Sequence, residues 1–551
     1  MPKIHHYRAA IAALALVTVG SIALSGCASS PASAPKAAAK DTAKITSGGT
    51  LNLAFNQDPY ANLDPNQNFW IESRSIDRNL VDSLTDQDPK TGKIVPWLAA
   101  SWTESADAKV YTFTLRKGVT FSDGEKFNAA AVKTAFDGIE KLGPLASLGA
   151  TYLSGYSETK VLGANKIEVD FATPNAAFLQ ATATTTLGIE SPKSYANTPA
   201  QRAAGQFWGS GPFVLDKYVP QQSVVLSKRK SYAWGSSINT NTGAAHIDKL
   251  NVTYIPEESV LVGSLTSGQI DVAWPRNPLT EADQQTIKAA GDAIQEAVLP
   301  GLTYNIEANV TGILADPVIR SAVQESIDRN TWASTVFYPG FAPARSVIDS
   351  STPQWADESA LLKFDPSSAR SALDADGWKV GADGYRYKDG KELTLVSLES
   401  APWNGWDLVQ SELKAIGINV QQKLVTVAQF TPLSNTGQWD ITGTYFTRGD
   451  ADILRTYYDP AVVKKGAGAG AYTLDATDGA KVSALFAEEI SEPNAAKRTA
   501  DFAEIQADLI KDGALFPLQN RVQVVGVSSR VHGLQFTNES FLRLNDLWLS
   551  N

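Results

Sequence analysis

The chain has 551 residues, and at ~150 residues per domain it is long enough for about three to four domain-sized units. Hydrophobic residues make up 43% and charged residues 19%, a mixture that supports buried cores and excludes a disordered or collagen-like chain. A formal charge of −10 at pH 7 argues against a nucleic-acid partner, because nothing in it supplies a basic footprint for phosphate. The single cysteine is Cys27, and only two of the four histidines, His246 and His532, lie beyond the first ten residues. That leaves no material for an internal disulfide, a cysteine-based zinc centre or a histidine-rich catalytic site, so no metal and no cofactor are expected.

At the start of the chain Lys3 and Arg8 precede the apolar run from Ala9 to Leu24, which ends in Leu24-Ser25-Gly26-Cys27. This is the layout of an export signal over residues 1–26. The alternative, a membrane-spanning anchor, needs about 20 apolar residues, and this run is shorter and interrupted by Thr18, Gly20 and Ser21. Leu-Ser-Gly-Cys resembles the lipobox of bacterial lipoproteins, and the resemblance implies lipid attachment to Cys27 after cleavage before it. Cleavage removes Lys3 and Arg8 and takes the formal charge from −10 to −12. Residues 27–47, rich in Ala, Ser, Pro and Lys, read as a solvated tether.

Beyond the tether the hydrophobic period changes repeatedly. Tyr111, Phe113 and Leu115 alternate with threonines, and Asp123-Gly124 follows as a turn, which predicts a hairpin near 110–127. Asn128 then caps a predicted helix with Val132, Phe136 and Ile139 on one face, and Ile167, Val169 and Phe171 mark a further strand. Leu250, Val252 and Tyr254 predict a strand, Val260, Leu261 and Leu265 a helix ending near Gly268, and Ile270, Val272 and Trp274 a second strand. Asp316-Pro317 and Asp365-Pro366 open two helices. Then come a strand over 393–398, a helix over 408–416 closed by Gly417, a strand over 418–424 and a helix over 493–510. The pattern is α/β, with two lobes.

The stretch from Tyr111 to Asn128 (YTFTLRKGVTFSDGEKFN) resembles the family 5 extracellular solute-binding proteins of ABC importers, the oligopeptide- and dipeptide-binding receptors and their relatives. The resemblance continues through Gly48 to Leu51 (GGTL), Ile94 to Trp102 (IVPWLAASW), Gly209 to Phe213 (GSGPF), His246 to Leu250 (HIDKL) and Ser267 to Val272 (SGQIDV). Ala322 with Ile327-Asp328-Arg329, and Phe364-Asp365-Pro366 with Asp376-Gly377-Trp378, extend it over most of the chain from residue 48 onward. It implies a two-lobed periplasmic-binding-protein-like fold (type II, cluster C-like) with an extra subdomain in lobe I. Lobe I would run over 48–300 with the subdomain at about 86–209, lobe II over 301–514, and residues 515–551 would return to lobe I.

The same resemblance implies a function. Closure of two lobes around an unreacted solute, a peptide or a similar small polar molecule, would load a receptor that serves a membrane permease driven by a cytosolic ATPase. The protein would be a monomer held at the outer face of the cell membrane by lipidated Cys27, and not an enzyme. Family members also carry nickel chelates, opines or sugars, so the resemblance leaves the cargo open. A sensory receptor of the same build and a secreted hydrolase are the alternatives.

Peptide receptors of the family hold the ligand's amino terminus with an aspartate, since desolvating an ammonium requires a carboxylate partner. The corresponding segment here runs from Tyr445 through Phe446 and Arg448 to Asp450, which makes Asp450 the amine-binding candidate although its spacing departs from the family pattern. Arg448 either holds a ligand carboxylate or pairs with Asp450. Trp403, Asn404 and Trp406 lie on a loop between a strand and a helix, where an aromatic ring either lines a cleft or packs beneath the loop. Asp58 and Tyr60, and Trp274 and Arg276, follow predicted strands, and strand ends of open α/β sheets face the ligand crevice. A solvated Asp or a packed Trp is the alternative at each.

Three motif matches are set aside. Ser157 to Lys160 and Lys90-Thr91-Gly92 match marks of serine β-lactamases but stand in the wrong order. Arg448-Gly449-Asp450 spells an adhesion tripeptide without a context for it, and Gly466 to Gly470 (GAGAG) lacks the leading strand of a dinucleotide loop.

Overall fold

The computed structural model describes residues 44–58, 61–337, 341–459, 461–462 and 476–550. Cys27 with its leader, the tether up to residue 43, Tyr60 and the Gly466 to Gly470 loop lie outside the described residues. Residues Ile45–Asn551 constitute one unit built on two sheets.

The first sheet has seven strands, in the spatial order Ala293–Val298, Val522–Val527, Val272–Trp274, Thr50–Phe55, Lys249–Tyr254, Ser223–Lys228 and Phe213–Val219. Thr50–Phe55 sits at its centre, parallel to both Lys249–Tyr254 and Val272–Trp274. The helix Glu258–Thr266 carries the chain from Lys249–Tyr254 across that central strand to Val272–Trp274, the crossover that parallel strands require. Leu51, Leu53 and Phe55 enter one core while Ala54 joins Leu261 and Leu265 in another, so both faces of this strand are covered. Gly268 follows the helix with φ +75°, a left-handed conformation suited to glycine at a helix end.

An antiparallel four-stranded sheet is inserted into this lobe, ordered Ala99–Glu104, Val110–Leu115, Lys166–Phe171 and Tyr156–Gly163. The helix Ala129–Leu142 packs on it through Val132, Phe136 and Ile139, and the Asn128 side chain caps it by accepting from the Ala131 N–H at 3.0 Å. The hairpin expected over 110–127 takes another form. Val110–Leu115 pairs with the strands at 99–104 and 166–171, and the Asp123-Gly124 turn closes only the Thr120–Lys126 bridge. Gly118 at φ +82° breaks the run between them, which local alternation does not reveal.

The second sheet has five strands, ordered Asn419–Leu424, Thr394–Glu399, Ile441–Thr444, Tyr304–Ala308 and Leu515–Gln519. The helices Pro317–Glu325, Pro366–Ala375, Trp406–Ala415 and Ala495–Lys511 share its core. Asp316 and Asp365 cap the first two through the N–H groups of Val318 and Ser368. Leu515–Gln519 pairs antiparallel with Tyr304–Ala308, so it belongs to lobe II. The chain therefore returns to lobe I at Asn520 and Arg521, five residues later than the expected boundary at 515. The outward crossing lies between Val298 and Tyr304, and the two crossings run side by side.

Candidate functional site

A cavity of about 280 Å³ opens between the two lobes. It lies where the strands Val272–Trp274, Thr394–Glu399 and Ile441–Thr444 end at their carboxyl termini, the crevice position of open α/β sheets.

Lobe II supplies an aromatic wall. The rings of Tyr304 and Tyr445 lie 4.9 Å apart, and Trp403 sits 5.6 Å from the first and 6.0 Å from the second. Trp403 reaches this place because the neighbouring strand carries Gly443. A Cβ there would lie 2.0 Å from Trp403 Cζ2, so any side chain would displace the indole. Gly405, φ +80°, turns the loop into the helix Trp406–Ala415 under Val336, where a Cβ would meet Val336 Cγ2 at 2.2 Å.

Two charged groups flank the wall. Glu399 ends the strand Thr394–Glu399, and its Oε1 accepts from Ser397 Oγ and the Gly443 N–H, each at 3.0 Å. Burial pushes its carboxyl up to about 7 against these hydrogen bonds. Arg521 stands at the return crossing with its guanidinium 4.6 Å from the Tyr445 ring centre, and Nη1 donates to Thr447 Oγ1 at 3.0 Å. Burial lowers its basicity, an effect that Tyr304 and Tyr445 oppose.

Lobe I supplies the facing side. Trp274 packs edge-on against Phe536 and at a tilt on Phe55, which fixes it at the cavity rim. Arg276 places its guanidinium 4.9 Å from the centre of the Trp70 ring, and its N–H donates to Asn56 Oδ1. Phe69, Trp70 and Glu72 complete this wall, and burial raises the Glu72 carboxyl above its ordinary range.

Five of the residues singled out from the sequence, Trp274, Arg276, Trp403, Tyr445 and Phe446, are brought together at this cavity. The other described candidates are placed elsewhere. Trp406 is buried in the lobe II core beneath Trp403, 6.0 Å ring to ring, and Asn404 is exposed outside the lining. Asp58 is committed to neighbours within lobe I, accepting from Tyr218 Oη at 2.7 Å and from the N–H groups of Gln221 and Ala61. With Arg276 it borders an adjoining depression of about 560 Å³.

Asp450, expected to hold a ligand amine, is instead clamped by Arg498, which donates to its two carboxylate oxygens at 2.7 and 2.8 Å. Arg448 does not pair with Asp450. It donates to Asp452 Oδ2 at 2.7 Å and covers the Tyr152 ring at 4.6 Å. Burial opposes ionisation of Asp452, yet Arg455 and Arg448 overcome it and hold the carboxyl down at about 2. Neither Asp450 nor Arg448 lines the cavity, because this buried ionic network consumes both.

Sequence reasoning missed Glu399, Arg521, Tyr304, Trp70 and Glu72. The strand-end argument that selected Trp274 applies equally to Glu399, and a polar Gln519-Asn520-Arg521 break between two apolar strands marks the crossing. Among the described residues no group of three His, Cys, Asp or Glu side chains is placed to hold a metal ion, and no helix is long and apolar enough to cross a membrane.

The architecture recurs in solved proteins. NikA from Brucella suis, in complex with Fe(III)-EDTA, superposes with a TM-score of 0.78 over 91% of this chain and 100% of its own at 21% identity. DppA from Helicobacter pylori in complex with the peptide STSA gives a TM-score of 0.73 over 92% and 99% at 22% identity. At those identities the likeness establishes the two-lobed periplasmic-binding-protein fold. In sequence, the nickel-binding periplasmic protein of Escherichia coli is 25% identical over 342 residues, which span 60% of this chain and 63% of that protein. The glutathione-binding protein GsiB of Salmonella choleraesuis is 26% identical over 372 residues, 66% of this chain and 67% of its own. Residues 93–466 match the family described as bacterial extracellular solute-binding proteins, family 5 Middle. With about two thirds of its length in that match and the two-lobed fold around an interlobe cavity, the chain belongs to the family 5 extracellular solute-binding proteins, a family of solute binders and not of enzymes.

Proposed function

We propose that this protein captures a peptide or a similar small polar solute between its lobes and delivers it, unreacted, to an ABC permease. One observation carries the reading: the cavity takes its lining from both lobes, Trp70, Trp274 and Arg276 from one and Tyr304, Glu399, Trp403 and Tyr445 from the other. Contacts divided in this way are complete only when the lobes are together, so a bound solute favours the closed arrangement by its differential affinity. The mixture of aromatic faces with a few charged groups suits solutes that are partly apolar and carry charge. Two chain crossings side by side between the lobes suit a hinge.

The protein is tethered outside the membrane by lipid on Cys27. The order of Lys3, Arg8, the apolar run and Leu24-Ser25-Gly26-Cys27 supports this. Calorimetric titration of the full chain with a library of short peptides and polar metabolites tests capture. The expected result is stoichiometric binding, a raised melting temperature that follows solute concentration, and chemically unchanged solute on release. Turnover of the bound solute, or no binding across the library, contradicts it. In the producing cell, Cys27→Ser is expected to move the protein from the membrane fraction to the soluble one and to abolish fatty-acid labelling.

A further inference from the structure

Two buried charged groups that line the cavity, Arg521 and Glu399, make no ion pair among the described residues. Arg448, Arg455, Arg498 and Arg543 are all buried, and each forms an ion pair with a carboxylate. Arg521 is equally buried, but among the described residues it makes no ion pair. Its guanidinium has the Thr447 hydroxyl and the faces of Tyr445 and Tyr304, and Nε has no hydrogen-bond partner. Glu399 is buried as well, with Oε1 engaged by Ser397 and Gly443, and it too makes no ion pair among the described residues. Asp349 accepts the Arg521 backbone N–H at 3.3 Å and favours its charge from nearby, but does not pair with the guanidinium. Buried Arg78 and Arg329, also without an ion pair, place their guanidinium groups on backbone carbonyls, whereas that of Arg521 borders the cavity, where a solute can offset the cost of burial.

Both groups line the same cavity, and the Tyr304, Trp403 and Tyr445 rings connect them. Glu399 bonds to Gly443, Trp403 packs on Gly443, and Tyr445 stacks beneath Arg521. An arginine fork matches a carboxylate in two parallel hydrogen bonds, and a carboxylate is the natural seat for an ammonium. Resting on the capture reading above, we infer that Arg521 and Glu399 are the two specificity poles of the site, and that its solute is a compact zwitterion bearing a carboxylate, an amine and an apolar group between them. The carboxylate lies on Arg521, the amine on Glu399, and the apolar group on the aromatic wall. A volume of about 280 Å³ is at the lower end of ligand pockets, roughly 300–1,000 Å³, and selects for a small solute of dipeptide size. Asp450 takes no part, because Arg498 already neutralises it.

The test is a calorimetric titration of the full chain with L-alanyl-L-phenylalanine, its C-terminal amide and its N-acetyl derivative. Wild type is expected to bind the free dipeptide and to lose about 10- to 100-fold in affinity for each blocked form, the loss associated with a charge-assisted hydrogen bond. In Arg521→Gln the free acid and the amide are expected to bind alike, with Arg521→Lys restoring part of the preference. In Glu399→Gln the free amine and the acetylated form are expected to converge. The comparison of blocked forms uses only the wild-type protein, so it stands if a variant fails to fold. Equal affinity of wild type for all three compounds overturns the two-pole assignment while capture stands. Binding of none of them overturns the dipeptide-sized zwitterion, and capture then fails only if the wider library also yields nothing.

Discussion

Asp450 illustrates how far a residue's role depends on its neighbours. In isolation its place in Arg448-Gly449-Asp450 suggests an accessible carboxylate. In the folded chain Arg498 from the helix Ala495–Lys511 reaches it first, and Gln354 adds a third donor at 3.2 Å. Asp450→Asn is therefore expected to leave solute affinity unchanged and to destabilise the protein by about 3 kcal/mol, the scale of breaking a buried pair. Titration calorimetry and a melting curve on the same sample separate the two effects. Glu307 makes a second prediction. It is buried in the strand Tyr304–Ala308, its Oε2 accepts from Tyr458 Oη at 3.3 Å, and burial raises its carboxyl to about 8. The folded state then holds a proton that the unfolded state has released, so between pH about 4.5 and 8 stability falls as pH rises. Glu399, at about 7, acts in the same direction over a narrower interval. Melting temperature is expected to decline across this range, and Glu307→Gln to make the decline shallower. The sequence disclosed Trp274, Arg276, Trp403 and Tyr445 because aromatic and charged residues after strands are visible in a linear pattern. Arg521 and Tyr304 were not legible, since their meaning arises from the apposition of two crossings more than 200 residues apart.

At the level of elements, local signals were read correctly where they were self-contained. The Asn128 cap, the proline-led helices after Asp316 and Asp365 and the strand-helix-strand unit around Glu258–Thr266 need only neighbours in sequence. Strand partners were a different matter. Nothing within Val110–Leu115 states that it pairs with residues 99–104 and 166–171, nor does Leu515–Gln519 announce its register against Tyr304–Ala308. The aromatic wall depends on such a partnership between Gly443 and Trp403. Gly443→Ala is expected to cost about 1–3 kcal/mol by forcing the indole aside, and to abolish the ligand-induced rise in melting temperature. Adding Trp403→Ala relieves the overlap. The double variant should regain stability relative to Gly443→Ala without regaining binding, and a double-mutant cycle reads that coupling directly.

For the whole molecule, the division of labour follows from its two sheets. Each lobe owns a core that does not depend on the solute, and the cavity is what remains between strand ends when those cores are satisfied. Contacts away from the cavity also join the lobes: Gln87 Nε2 donates to Gly449 O at 3.1 Å and Arg448 covers Tyr152. The family resemblance conveyed the two-lobed plan, whereas periodicity alone conveyed only α/β lobes, because many folds share those local patterns. Reversible capture of an unreacted solute by both lobes together is tested directly by native mass spectrometry of the full chain isolated from its own cells. One small solute per chain is expected, recovered at unchanged mass and lost from both Trp274→Ala and Trp403→Ala, which remove a lining ring from each lobe in turn. A solute recovered in cleaved form, or one retained by both variants, would contradict it.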